Sequence, residues 1–475
     1  MSSGRPAGAS RVLVVGGGLA GITAALDCAA AGASVTLVEV RRRLGGAAYS
    51  FERDGLWLDN GQHVFLRCCT AYRALLARLG SEQLTMVQPR LEIPVLKPGC
   101  PRALLARGRL PAPAHLAGAL LRYPHLSTRE RLGAARAAIA LMRIREGEPR
   151  LEASAFGEWL ADHGQGPHAV AALWDLIALP TLNLPAAQAS LALAAFVFRT
   201  GLLSAADAGD VGLHRTALSQ TIGEPAERAL ADAGVQVRLG WRAERLVRGA
   251  HGIEVHGRDE ALSAQATVLA VPHSRAAGLL EPLLGERARM LRGLGSSPIV
   301  NLHVVYDRPV CEERFAAGVG TPVQYVFDRS DAAGAPAGCQ YLAVSLSGAE
   351  REMNMSVGAL RERYLPALCE LFPRARQARV ERFLVTREHA ATFRAAPGVG
   401  ALRPGPETSI PGLVLAGAWT ATGWPATLEG AVLSGHAAAD CALRTLEGDP
   451  RPPSANTIAG ASTGAGTDTR GAFAR

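Results

Sequence analysis

The chain has 475 residues, 48% of them apolar and 19% charged, with a formal net charge of +8. That length holds two or three domains, and the composition is that of a folded protein rather than a disordered one. No run of about 18 apolar residues marks a membrane span, and the polar amino terminus MSSGRPAGAS lacks a secretory signal, so a cytoplasmic location is expected.

RVLVV, Arg11 to Val15, reads as a short buried strand, Gly21 to Ala31 as a helix of small residues, and ASVTLVE as a second strand. The turn between the first strand and the helix carries Gly16, Gly18 and Gly21. Glycine there allows a tight turn, close approach of backbone to a pyrophosphate, and close packing of helix on strand. Glu39, at the tip of the second strand, is placed to accept hydrogen bonds from a ribose and to repel a 2′-phosphate, which argues against NADP despite Arg41, Arg42 and Arg43. Together these features predict a dinucleotide-binding β-α-β unit. Trp57 to Val64 reads as a strand entering a loop, and TAYRALLARLG as a helix ending at Gly80.

Residues 96–210 turn rich in Ala, Leu and Arg, and a mainly helical insertion is expected there. Within it, 101–150 carry ten Arg against three Glu, nearly the whole net charge. Ser127 and Glu130 have the spacing of a capping box. They precede a basic amphipathic helix whose Leu132, Ala135, Ile139 and Met142 share one face. Strands are expected again at GVQVRL, GIEVH and ATVLAV, at Val300 to Tyr306, at Gln340 to Leu346 and at Pro411 to Gly417, with a final helix from Leu428 to Leu443. The eight cysteines show neither metal nor redox spacing and read as buried thiols, so no metal site is expected. The basic block lacks interleaved aromatics, which leaves nucleic acid without a recognition surface.

RRRLGGAAYS after Glu39 resembles the extended FAD-binding signature of the amine oxidase and phytoene desaturase superfamily, through Glu39, Arg41, Leu44, Gly45 and Gly46. Ala47 stands where that signature usually has another arginine. LVLAGAWTATGWPATLEGAVLSG resembles the second FAD segment, with Gly417, Thr420, Glu429, Gly430, Ala431, Ser434 and Gly435 matching and Ala418 replacing a common acid. The resemblance spans about residues 10–445. It implies an α/β fold: a Rossmann-like FAD-binding domain, a discontinuous α+β substrate domain and a helical membrane-facing insertion. The expected boundaries are 10–95, 211–290 and 396–447 for FAD, 96–210 and 291–395 for substrate, and a disordered tail at 448–475. It also implies non-covalent FAD touched by Val237, Thr427 and Leu428 as well as the motif residues.

Amine oxidases of the superfamily use an aromatic pair and a lysine beside the flavin. Here Thr427 replaces one aromatic, and the strand SSPIVNLHVVY has no lysine. DNGQH at Asp59 to His63 and LPTLN at Leu179 to Asn183 resemble instead the squalene-associated FAD desaturases, the hydroxysqualene dehydroxylases of bacterial hopanoid synthesis. That likeness implies reduction of hydroxysqualene to squalene. His63 is then the expected proton donor, with Asp59 fixing its loop, Gln62 and Asn183 orienting the hydroxyl, and Trp424 walling the substrate tunnel. An external electron donor and peripheral contact with the anionic inner face of the cell membrane are expected partners. A carotenoid or phytoene desaturase, or a non-catalytic flavin-fold lipid-binding protein, are the alternatives.

Overall fold

The computed structural model describes residues 11–145, 148–249 and 252–448; the expected disordered tail lies, from residue 449, outside the described residues. Five parallel strands form the first sheet, in the order Gln236–Leu239, Ser34–Glu39, Arg11–Val15, Ala266–Leu269, Leu413–Leu415. The inner strands Arg11–Val15, Ala266–Leu269 and the adjoining Leu413–Leu415 are short apolar runs buried almost throughout, as parallel strands covered on both faces require, whereas the edge strand Gln236–Leu239 is exposed or half-buried. The first helix, Leu19–Ala30, and the last, Leu428–Glu447, pack side by side on this sheet. Glycine makes the approach possible: a β-carbon on Gly435 would stand 2.5 Å from the Ala20 carbonyl oxygen.

A seven-stranded sheet forms the second layer, with Val380–Thr392 at one edge beside Ser297–Tyr306, and the hairpin Glu92–Leu96 and Ala103–Ala106 at the other. This hairpin departs from the sequence reading, which begins a mainly helical segment at 96. Ala103–Ala106 is ALLA, a sequence with no β-branched residue, and its pairing with Glu92–Leu96 makes it a strand.

The helices between 114 and 203 do form, and Ser127 and Glu130 make the expected reciprocal capping box on Thr128–Met142. The buried face of that helix is Ala134, Ala137 and Leu141, however, while Leu132 and Ile139 point outward. Among the described residues no helix is long and apolar enough to cross a membrane. Of the eight cysteines, four are buried, three are half-buried and Cys100 is exposed, which corrects the reading of all eight as buried.

Three helices meet at Asp27. Its carboxylate accepts from Arg78 of Thr70–Arg78 at 2.5 Å and pairs with His436 Nδ1 of the last helix at 2.5 Å. The bond to Asp27 raises the His436 pKa above its ordinary value, outweighing burial. Charged His436 therefore stabilises the fold fully below pH ~6.5, the unfolded value, and the contribution disappears as pH rises through the higher folded value. His436→Ala should lower the melting temperature by about 1 °C at pH 6, as suits a partly exposed pair, and by less at pH 8.5; equal losses at both pH values would refute the linkage.

Candidate functional site

At the carboxyl end of the parallel sheet two glycine turns face each other. Gly45 N donates to Gly17 O at 2.9 Å, and Gly18 and Gly45 form an isolated bridge. Side chains have no room here. A β-carbon on Gly21 would lie 1.9 Å from Gly16 O, one on Gly16 2.3 Å from Ala270 O, and one on Gly46 2.6 Å from Gly18 Cα. The first helix starts at this point, so its opening amides line the gap without intrahelical partners. Glu39 closes the corner: Oε2 accepts from Gly17 N at 2.6 Å and Oε1 from Arg41 N at 2.7 Å. Val237 sits beside Leu37 on the edge strand of the same sheet. Backbone and acid thus present an anion-binding gap at the strand ends, where α/β sheets bind ligands.

The loop after Leu56–Asp59 runs along this gap. Asp59 is buried and committed, accepting from Ser50 Oγ at 2.6 Å and Leu218 N at 3.0 Å and pairing with Arg329 at 2.8 Å. These bonds tie the start of the loop to Ser50, Leu218 and Arg329. Asn60 Nδ2 donates to Ala47 O at 2.9 Å and to Glu388 Oε1 at 3.1 Å, while Asn301 Nδ2 donates to Asn60 O at 2.9 Å. A β-carbon on Gly61 would have His63 Nε2 at 3.6 Å and Asn301 Nδ2 at 3.7 Å, so these two side chains share one spot. Gln62 Nε2 is buried without a partner among the described residues, and so is Asn301 Oδ1. Two uncommitted polar atoms therefore flank His63.

Burial pulls the His63 pKa below its ordinary value, against the charges of Asp59 and Glu388 and the Ala47 carbonyl. His214 lies behind it, bonded to Tyr72 Oη at 2.7 Å and pushed down to about 3 by burial, Arg329 and His63, so it stays neutral. A cavity of ≈ 10 Å³, room for about one water, is bounded by Gln62, His63, His214, Phe327 and Arg329 among others.

The segment from Gly417 completes the rim. Thr420 Oγ1 donates to Gly417 O at 3.0 Å, and buried Arg403 donates to the carbonyls of Ala418 at 3.2 Å and Thr420 at 2.5 Å. Thr427 Oγ1 caps the last helix by accepting from Gly430 N at 3.1 Å, with Leu428 half-buried behind it. Glu429 caps a different helix, accepting from Ala71 N at 3.0 Å and Tyr72 N at 2.7 Å. Burial raises its pKa, opposed by those same amides. Trp424 meets Phe196 edge to face at 5.1 Å between centroids.

Asn183 is a correction. Its amide donates to Ser297 O at 3.0 Å and Thr392 Oγ1 at 3.1 Å, and Oδ1 accepts from Gly348 N at 2.6 Å. Buried in the left-handed conformation that ends Asp175–Leu182, it secures a helix end rather than presenting a group to a ligand. Sequence reasoning also missed Asn60, Asn301, Arg329 and Glu388. Asn60 and Asn301 lay within quoted motifs, whereas nothing near Glu388 or Arg329 signals their positions.

A family model described as flavin containing amine oxidoreductase matches residues 19–443. The chain is 31% identical over 452 residues to a hydroxysqualene dehydroxylase of Rhodopseudomonas palustris, covering 91% of this chain and 98% of the relative. It is 24% identical to a zeta-carotene desaturase of Arabidopsis thaliana, covering 90% and 84%. Cyclohexylamine oxidase of Brevibacterium oxydans has the same fold, with a TM-score of 0.71 at 18% identity, covering 92% of this chain and all of that one.

Gly46→Ala puts a β-carbon against Gly18 and forces a residue with φ +59° out of a conformation suited to glycine. The purified variant should retain flavin at least about tenfold more weakly, or about 1.4 kcal/mol, by its 450-to-280 nm absorbance ratio during dilution. Unchanged retention would show that the two turns do not form the cofactor cradle.

Proposed function

We propose, from the premise that this chain belongs to the flavin-containing amine oxidoreductase family, that it reduces hydroxysqualene to squalene with loss of water. It is a FAD-dependent oxidoreductase like the hydroxysqualene dehydroxylases to which it is homologous. The observation that carries the substrate assignment is the likeness to such an enzyme over nearly its entire length.

The residues present fit FAD. A cradle that β-carbons would fill, opening amides of a helix and Glu39 at a strand tip suit the pyrophosphate and ribose of a dinucleotide. Gly16, Gly18, Gly21, Gly45 and Gly46 would hold it on one side and Gly417 to Thr420 on the other. Bound and reduced, the cofactor supplies hydride, drawing its electrons from an external donor. The chain supplies the proton. Hydroxide leaves poorly, so His63 protonates the allylic hydroxyl as the C–O bond breaks, water departs, and C–H replaces C–O. Gln62 Nε2 is an uncommitted donor for the hydroxyl oxygen, and Trp424 with Phe196 offers an apolar wall to a long hydrocarbon. Amine oxidation finds less support: Asn301 shares the spot beside His63, and Thr427 is a helix cap.

Only protonated His63 donates, and its pKa lies below 6.5, so turnover should fall as pH rises through the value where the imidazole loses its proton. Anaerobically reduced holoenzyme given hydroxysqualene should reoxidise with matching squalene, and His63→Ala should slow this by about 10² to 10⁴. Oxidised enzyme that is instead reduced by a polyene precursor would move the chain to the desaturases.

Substrate of this kind partitions into lipid, and the basic block offers a docking face. Leu110, Leu121, Leu132 and Ile139 are 58%, 63%, 51% and 47% exposed, among exposed Arg109, Arg122, Arg129, Arg136 and Arg143. Apolar residues set among cations suit an anionic bilayer surface. The chain should co-sediment with vesicles containing phosphatidylserine and lose binding at least about tenfold when arginines 129, 131, 136, 143 and 145 are replaced by glutamine. Indifference to those changes would remove the membrane from the reading.

A further inference from the structure

Glu388 lies on the edge strand Val380–Thr392, more than 320 residues along the chain from the loop it touches. Its Oε1 accepts two hydrogen bonds at 3.1 Å, from Tyr49 Oη on the glycine loop and from Asn60 Nδ2 on the His63 loop. Asn60 is held from the same sheet a second time. Asn301 and Thr386, paired in register on neighbouring strands, both donate to its carbonyl, at 2.9 and 3.3 Å. Asn60 and Gly61 thus join that sheet to the His63 loop, and the His63 ring and the Asn301 amide both border Gly61.

We propose that Glu388 is a positioning residue whose two hydrogen bonds hold the glycine loop and the His63 loop in one register and whose carboxylate opposes loss of the His63 proton. This rests on the reading of His63 as proton donor. The charge count around the imidazole supports it. Asp59 faces His63 but is paired with Arg329, whose guanidinium is directed at Asp59 and at the His214 and Thr216 carbonyls. His214, on the opposite side, is neutral. Arg43 lies over the Tyr49 ring, its guanidinium carbon 3.5 Å from the centroid, and donates to Gly46 O rather than to Glu388. Among the described residues Glu388 forms no ion pair within 4.0 Å, although the Arg43 guanidinium feels its charge, and the charges of Asp59 and then Glu388 both raise the His63 pKa against burial. A carboxylate in such a setting favours a nearby imidazolium.

Glu388→Gln keeps an acceptor for Tyr49 and Asn60 and removes the charge; Tyr49→Phe keeps the charge and removes one tether. With histidine-labelled holoenzyme, NMR titration should show the His63 pKa about one unit lower in Glu388→Gln than in the wild type and unmoved in Tyr49→Phe. Flavin retention, by absorbance, should hold within about twofold in Glu388→Gln. An unmoved His63 pKa in Glu388→Gln, or an equal shift in both variants, would overturn the proposal, because the first removes the charge effect and the second assigns it to tethering. The pH–rate profile of Glu388→Gln separates the two readings. A His63 pKa that moves without the profile following would sink the donor role of His63 and with it the catalytic half of this proposal; the two moving together supports both.

Discussion

The contact between Gly18 and Gly46 is the constraint on which the site depends. Two turns separated by 28 residues approach until a single β-carbon would close the space between them. The contact brings the loop 44–49 over the start of the first helix, and that loop then carries its neighbours into place. Tyr49 and the Ala47 carbonyl grip Asn60, and Asn60 leads to His63. The glycine gap and the loop that carries His63 are thus held by one piece of backbone.

A buried ion pair ties this arrangement to the second layer. Asp59 and Arg329 keep only 6% and 11% of their side chains exposed, and Arg329 also donates to two carbonyls of the segment 214–216. Such a pair adds little net stability over apolar packing, but removing one partner costs about 3 to 5 kcal/mol by stranding the other. Its value here is registry. It fixes Asp59 at the start of the loop while Asn301, Thr386 and Glu388 fix Asn60, so the His63 loop is held to the second layer by distant parts of the chain.

What was legible in the sequence was local. The turn at Gly16 to Gly21, Glu39 at a strand tip and the reciprocal cap of Ser127 and Glu130 each depend on backbone geometry within a few residues, and each is where the pattern placed it. Glu388 and Arg329 act across hundreds of residues, and no spacing rule reaches that far. Asn183 misled because a polar residue beside a motif resembles a ligand contact, whereas its side chain serves the end of a helix. The helix Thr128–Met142 misled because it has two faces at helical spacing, one of leucine and isoleucine and one mainly of alanine, and periodicity alone does not say which is inside.

Packing distance decides between those faces. Alanine at 134 and 137 lets Thr128–Met142 lie close against the helix Leu191–Phe198, within one core that includes Leu141 and Phe198. Larger side chains there would push the helices apart. Leu132 and Ile139 are therefore left on the surface, where their apolar area has no partner among the described residues and lies among arginines. The same helix Leu191–Phe198 presents Phe196 to Trp424 on its other side. The exposed face of leucine, isoleucine and arginine and the Phe196–Trp424 ring pair thus both lean on the helix Leu191–Phe198.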